Sequence, residues 1–197
     1  MSQFPKIWFL RHGQTEWNLE RRLQGQLDSP LTELGQSQAR QQARILGPVL
    51  VEAAAGSIDI YSSPLGRAQH TARIALSGHP YDTDPRLSEV ATGEWEGRLR
   101  QEVAPGGGDL MVYTAAPGGE GFDALEARVA DFLNHLQGPS IVVSHGLWGQ
   151  VLRGLACGLD RPAMDQLSNL QGCVYVLENG NETLLKDEET ARASLAL

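Results

Sequence analysis

Three short apolar runs each stop at polar residues able to bind a ligand, and segments of helical character separate them. Lys6–Leu10 ends at Arg11-His12-Gly13, Ile58–Tyr61 ends at Ser62-Ser63-Pro64-Leu65-Gly66-Arg67, and Ile141–Val143 ends at Ser144-His145-Gly146. Apolar runs of this length, bounded by turn residues, read as buried strands. Strands alternating with helices predict an α/β fold: a three-layer α/β/α sandwich with a mostly parallel central sheet. In such sheets ligands bind outside the carboxyl ends of the strands, where these polar residues fall. The length of 197 residues suits a single domain over 1–197.

The intervening segments carry their own boundaries. Thr32 reads as an N-cap with Glu33 in the first turn, and the helix is expected to run to about Leu46, where Gly47-Pro48 stops or kinks it. Pro64 suits the first turn of a helix over Leu65–Ala75. A weak strand is expected around Tyr81–Thr83. Gly93–Gly121 is rich in glycine with two prolines and reads as a loop-rich insertion, a short cap over about 96–120. Phe122, Leu125, Val129, Phe132 and Leu136 recur at helical spacing. A further helix should run from Gly146 to about Cys157. Cys173–Leu177 and Thr183–Leu185 read as strands joined at Asn179-Gly180, a hairpin signal. The tail, about 187–197, is expected to fray.

The formal net charge is −8. A chain this acidic does not suit nucleic acid or an anionic membrane as a bulk partner, although a local arginine cluster can still hold a small anion. Cys157 and Cys173 form no CxxC pair and read as reduced thiols in or near the core. The apolar stretch Ile7–Leu10 is too short for a signal peptide, and no run approaches a membrane span. The expectation is a cytoplasmic protein.

Arg11, His12, Arg67 and His145 all follow strands, and Glu89 follows the weak one. Two guanidiniums offer forked donors that match phosphoryl oxygens. A neutral His12 can attack phosphorus, and neighbouring arginines keep it neutral. Glu89 can protonate a leaving oxygen and then deprotonate a water. Gly146 opens a helix whose free N–H groups favour an anion. Gly13 is expected to let the chain leave without a Cβ obstructing the pocket. Nothing in this set requires a metal, since the cations balance the charge, and arginines beside a dication are unfavourable. His70, His79 and His135 have no matching partners and read as structural. Pro105-Gly106-Gly107-Gly108 lacks the lysine-serine ending of a phosphate loop, and Ser144 is not in a GxSxG elbow.

"LRHGQTEWN", "SSPLGRAQHTA", "LSEVATGEWEG" and "VVSHG", in that order, resemble the signatures of the histidine phosphatase superfamily, in the branch containing cofactor-dependent phosphoglycerate mutases and related phosphatases. The resemblance implies a phosphoglycerate mutase-like fold over nearly the whole chain. It implies that His12 is the phosphorylated nucleophile, that Arg11, Arg67 and His145 complete the phosphate pocket, and that Glu89 is the proton donor. It also implies that Asn18 contacts the phosphoryl group and that Gln24-Gly25 lies near the substrate mouth. Glu120 is expected either to edge the site or to cap a helix. The chain departs from the family at His70, usually Gln, and at Gly121, often Ser. The short cap suits hydrolysis better than a mutase, which must exclude water from its phosphoenzyme. The expectation is a metal-independent phosphatase of a small phosphorylated metabolite, with no cofactor. The alternative is a phosphoglycerate mutase, with 2,3-bisphosphoglycerate as primer. Arg98 and Arg100, in the cap, read as solvated arginines or as contacts to a second anionic group. Dimers are common among relatives, which leaves a homodimer open.

Overall fold

The computed structural model describes residues 4–106 and 110–186. In chain order the elements are β1 (Ile7–Arg11), α1 (Glu16–Leu19), α2 (Glu33–Ala54), β2 (Asp59–Ser62), α3 (Gly66–Ala75) and β3 (Asp82–Thr83). Then follow α4 (Arg100–Val103), α5 (Leu110–Thr114), α6 (Phe122–His135), β4 (Ser140–Ser144), α7 (Gly146–Cys157), α8 (Arg161–Asp165), β5 (Val174–Glu178) and β6 (Asn181–Leu185). The strands form one six-stranded sheet in the order β3-β2-β4-β1-β5-β6. β3, β2, β4 and β1 are parallel, β5 runs antiparallel to β1, and the β5–β6 hairpin closes that edge. The expected α/β architecture is therefore present.

Alternation along the buried strands divides the core in two. Ile7, Phe9 and Val142 face α6 and α7, where Phe132 and Trp148 meet edge to face at 5.8 Å. Trp8, Leu10, Ile141 and Val143 face α2 and α3 on the other side. Both faces of the central strands are covered, which explains why they read as continuous apolar runs. Cys173 is buried in the first cluster, Cys157 packs against it, and both are free thiols.

Register sets the functional edge. Leu10 pairs with Val143 and Arg11 with Ser144, while Ser62 also pairs with Val143. His12 N–H donates to Ser144 O at 3.0 Å and Ser63 N–H to Val143 O at 2.9 Å, extending the ladder past the strand ends. Residues 12, 63 and 145 thus leave the sheet at one level.

Several expected boundaries are corrected. α2 does not stop at Gly47-Pro48 but continues to Ala54, with Pro48 inside it, because Leu46, Val49 and Leu50 are all buried against the sheet. That burial offsets the missing N–H. α3 begins at Gly66 with Leu65 as N-cap, so Pro64 precedes the helix rather than opening it. The third strand is only Asp82–Thr83. The expected loop-rich insertion contains α4, α5 and a tight turn at Gly93–Trp95. Gly107, Gly108 and the tail 187–197 lie outside the described residues. No described helix is long and apolar enough to cross a membrane.

Candidate active site

At the carboxyl edge of the sheet lies a cavity of about 250 Å³. Arg11, His12, Asn18, Gln24, Gly25, Arg67, Glu89 and Gly146, all expected from the sequence, line it. His145 is fully buried behind His12, with the two ring centroids 5.2 Å apart, and is not part of the cavity wall.

His12 is held in one tautomer. Its Nδ1 lies 2.8 Å from Gly13 O, which can only accept, so the proton is on Nδ1. Its Nε2 lies 3.3 Å from Arg67 Nε, which can only donate, so Nε2 carries a lone pair. Burial, then Arg67 and Arg11, hold the imidazole well below its ordinary range. The result is a neutral histidine with its basic nitrogen among guanidiniums.

Each arginine is fixed from a distant part of the chain. Arg67 Nη1 donates to Leu27 O at 2.7 Å and Asp28 Oδ1 at 3.0 Å, and Nη2 donates to Gly25 O at 2.7 Å. Burial lowers its pKa, opposed by Glu89 and Asp28. Arg11 Nη1 donates to Asn169 O. The 168–170 segment is itself pinned: Arg153 Nη1 donates to Ser168 O at 2.6 Å, and Leu170 N–H donates to Tyr175 Oη at 2.8 Å. Burial brings Arg11 down to about 10, with Glu89 opposing, so it remains a cation at neutral pH.

Glu89 occupies the start of α7. Its carboxylate accepts from Leu147 N–H at 3.2 Å and from Trp148 N–H at 2.9 Å, and also from Val90 N–H at 3.0 Å. The anion expected at this helix start is therefore the protein's own carboxylate. The segment carrying Glu89 is clamped by Arg128, whose Nη1 donates to Arg86 O at 2.6 Å and Ser88 O at 2.8 Å. Glu120 pairs with Arg128 at 2.7 Å and neither lines the cavity nor caps α6, whose N-cap is Gly121.

The glycines are explained by close approach. A Cβ on Gly13 would come within 2.2 Å of Gly35 O, so it lets β1 pass the start of α2, and the expected reason, an unobstructed pocket, is corrected. A Cβ on Gly146 would press on the Arg11 guanidinium at 3.2 Å. Gly25 has φ +51° and abuts Glu96 Oε1.

His145 Nε2 lies 2.7 Å from Ser63 Oγ, and Ser63 Oγ accepts from Leu65 N–H at 3.2 Å. Its Nδ1 has no protein partner among the described residues, and burial, Arg67 and His12 hold it well below the ordinary imidazole range. Arg11 Nε, Gln24 Oε1, Thr92 Oγ1 and Gln150 Oε1 are likewise buried without a partner among the described residues, and all four side chains line the cavity. Such groups in one wall are what a polar ligand satisfies. Asn18 Oδ1 accepts from Thr15 N–H at 3.2 Å in a capping box, so this residue also shapes α1. Among the described residues no three His, Cys, Asp or Glu side chains converge to hold a metal ion.

Residues 7–187 match the model of the histidine phosphatase superfamily (branch 1). The chain belongs to that superfamily. Among curated relatives it is 38% identical over 163 residues to "Probable phosphoglycerate mutase GpmB" of Enterobacter sp. (strain 638), covering 72% of this chain and 70% of that one. It is 34% identical over 186 residues to the protein of the same name from Proteus mirabilis (strain HI4320), covering 85% and 81%. Among solved structures, "a putative alpha-ribazole-5'-P phosphatase" from Escherichia coli str. K-12 substr. MG1655 superposes with TM-score 0.73 at 29% identity, over 94% of this chain and 98% of that one. YhfR of Bacillus stearothermophilus gives TM-score 0.74 at 27% identity, over 93% and 97%.

Within this candidate site, sequence reasoning missed Arg22, Tyr113, Gln150 and Asn169, which also line the cavity. None stands in a motif at a strand end. Arg100, left open between solvent and substrate, lines the cavity, whereas Arg98 does not and pairs with Glu102 at 3.7 Å.

Proposed function

We propose that this member of the superfamily is a metal-independent phosphomonoester phosphatase acting on a small phosphorylated metabolite through a phosphohistidine at His12. The observation that carries the reading is the fixed tautomer of His12, whose lone pair on Nε2 faces Arg67 Nε at a cavity that Arg11 also lines. Nε2 attacks phosphorus. The bond to the leaving oxygen breaks, its electron pair stays on that oxygen, and Glu89 as general acid passes it a proton, which the attacking water restores in the second step. Arg11 and Arg67 hold the phosphoryl oxygens, and His145, off the cavity wall, packs beside the His12 ring. The Gly13 carbonyl keeps its bond to Nδ1–H and stabilises the charge the ring acquires. Water then attacks the phosphohistidine, Glu89 takes its proton, and the P–N bond breaks to return neutral His12.

A phosphoglycerate mutase reading draws on the name carried by the curated relatives, and it would use the same residues to return the phosphoryl group to carbon. The cap supports hydrolysis instead. From residues 96–120 only Arg100 and Tyr113 line the cavity among the described residues, so little covers the phosphohistidine against water. Phosphorus NMR with 3-phosphoglycerate, a trace of 2,3-bisphosphoglycerate and a metal chelator separates the two. Free phosphate supports the phosphatase. Accumulating 2-phosphoglycerate overturns it in favour of the mutase.

A further inference from the structure

We propose that Arg153, buried outside the cavity wall, is a positioning residue that aims Arg11 at the phosphoryl group. This rests on the reading that Arg11 holds phosphoryl oxygens, and it names what sets the geometry of that cation. The two arginines that flank His12 are held unequally. The Arg67 guanidinium donates to Leu27 O, Asp28 Oδ1 and Gly25 O. Among the described residues the Arg11 guanidinium has one hydrogen-bond partner, the Asn169 carbonyl. Gly146 lies against it, where a Cβ would press on Cζ and Nε at 3.2 Å. Gly146 therefore limits its tilt, and the position of Asn169 O sets its direction.

Asn169 lies between α8 and β5, outside any regular element, so side chains must place its carbonyl. On one side, Arg153 Nη1 donates to Ser168 O at 2.6 Å. On the other, Tyr175 Oη accepts from Leu170 N–H at 2.8 Å, and the same hydroxyl donates to Ser168 O at 3.3 Å. Arg153 and Tyr175 also hold each other. The guanidinium lies 3.9 Å from the Tyr175 ring centre, and its Nε and Nη2 donate to the Glu182 carboxylate at 2.6 and 2.8 Å. Burying a cation is unfavourable unless it is fully paired, and Arg153 is 1% exposed. Its partners come from the antiparallel hairpin: Tyr175 on β5 pairs with Phe9 on β1, and Glu182 on β6 pairs with Leu177. The hairpin thus reaches the site through Arg153. The next residues tie the same segment to the nucleophile, since Gln171 Nε2 donates to His12 O at 3.0 Å, and Gln42 Nε2 bridges Arg11 O and Cys173 O. A misplacement of about 1 Å in such a group can lower a rate by about 10²-fold, even when the change lies far from the chemistry.

The test is calorimetric binding of orthovanadate, an anion of phosphate shape. The proteins are the wild type, Arg153→Met, Tyr175→Phe, and each of the three with Arg11→Gln added. Tyr175→Phe keeps the ring over Arg153 and removes only the hydroxyl, so it decides the matter if Arg153→Met does not fold. With Arg11 present, Kd should rise about tenfold in Arg153→Met and about threefold in Tyr175→Phe, the scale of a charge-assisted hydrogen bond lost in whole or in part. With Arg11→Gln the further rise should be less than about twofold, because the group being aimed is gone. Binding should stay at about one anion per chain. A merely structural role would lower that stoichiometry and leave the Kd of the remaining protein unchanged. Unchanged Kd in the single variants, equal rises in both backgrounds, a fall in stoichiometry alone, or a wild-type protein that binds no orthovanadate overturns the proposal. The predicted coupling in a wild-type protein that releases phosphate from no phosphomonoester would support the aiming of Arg11 and overturn the phosphatase reading.

Discussion

His12 and His145 are both buried and both held neutral, and this has a sign that stability measurements can read. Their folded pKa values lie below that of an imidazole in the unfolded chain, about 6.5. Below that pH the unfolded chain takes up protons that the native protein refuses. The contribution is therefore fully present above about 6.5 and is lost as pH falls, by up to about 1.4 kcal/mol per pH unit for each histidine. Urea unfolding between pH 7 and pH 5 should show this slope, and His12→Asn should reduce it by one histidine's share. An unchanged slope in the variant contradicts the neutral assignment. Glu89 makes its own prediction at this scale. Glu89→Gln should lower kcat about 10²- to 10⁴-fold on an alkyl phosphate, whose leaving oxygen needs a proton. The loss should be much smaller in the burst phase with p-nitrophenyl phosphate, whose leaving group needs none. Equal losses would assign Glu89 a positioning role.

Elements explain why some of this was legible in the sequence and some was not. Strands end where their register ends, so Arg11-His12, Ser63 and Ser144-His145 could be placed on one edge from apolar runs alone. Pro48 misled because a local breaker signal was outweighed by burial of Val49 and Leu50, which is a tertiary effect. The occupant of the α7 start was hidden for a similar reason. Gly146 marked the helix, but nothing near it in sequence showed that Glu89 would sit on Leu147 and Trp148. Arg22, Tyr113, Gln150 and Asn169 arrive from four separate segments, each without a motif, and only the fold assembles them. The Arg128 clamp is another such contact across the chain. Arg128→Met should free the 86–91 segment, lowering kcat about tenfold or more while KM changes little, because Arg11 and Arg67 are untouched. A rise in KM with kcat preserved would contradict the clamp.

For the whole molecule, an acidic chain gathers four of its arginines at one cavity. The net charge of −8 excludes little about a small anionic ligand, since Arg11, Arg22, Arg67 and Arg100 all meet at one cavity. The central claim is that the phosphoryl group passes through His12. Rapid quenching of the enzyme with a labelled phosphomonoester, followed by peptide mass spectrometry, measures this directly. The account requires an acid-labile, base-stable phosphoryl group on His12 in the wild-type protein. In His12→Ala that adduct should be gone and turnover lowered by at least about 10³-fold. A phosphoryl group on another residue, or full turnover in His12→Ala, would contradict it.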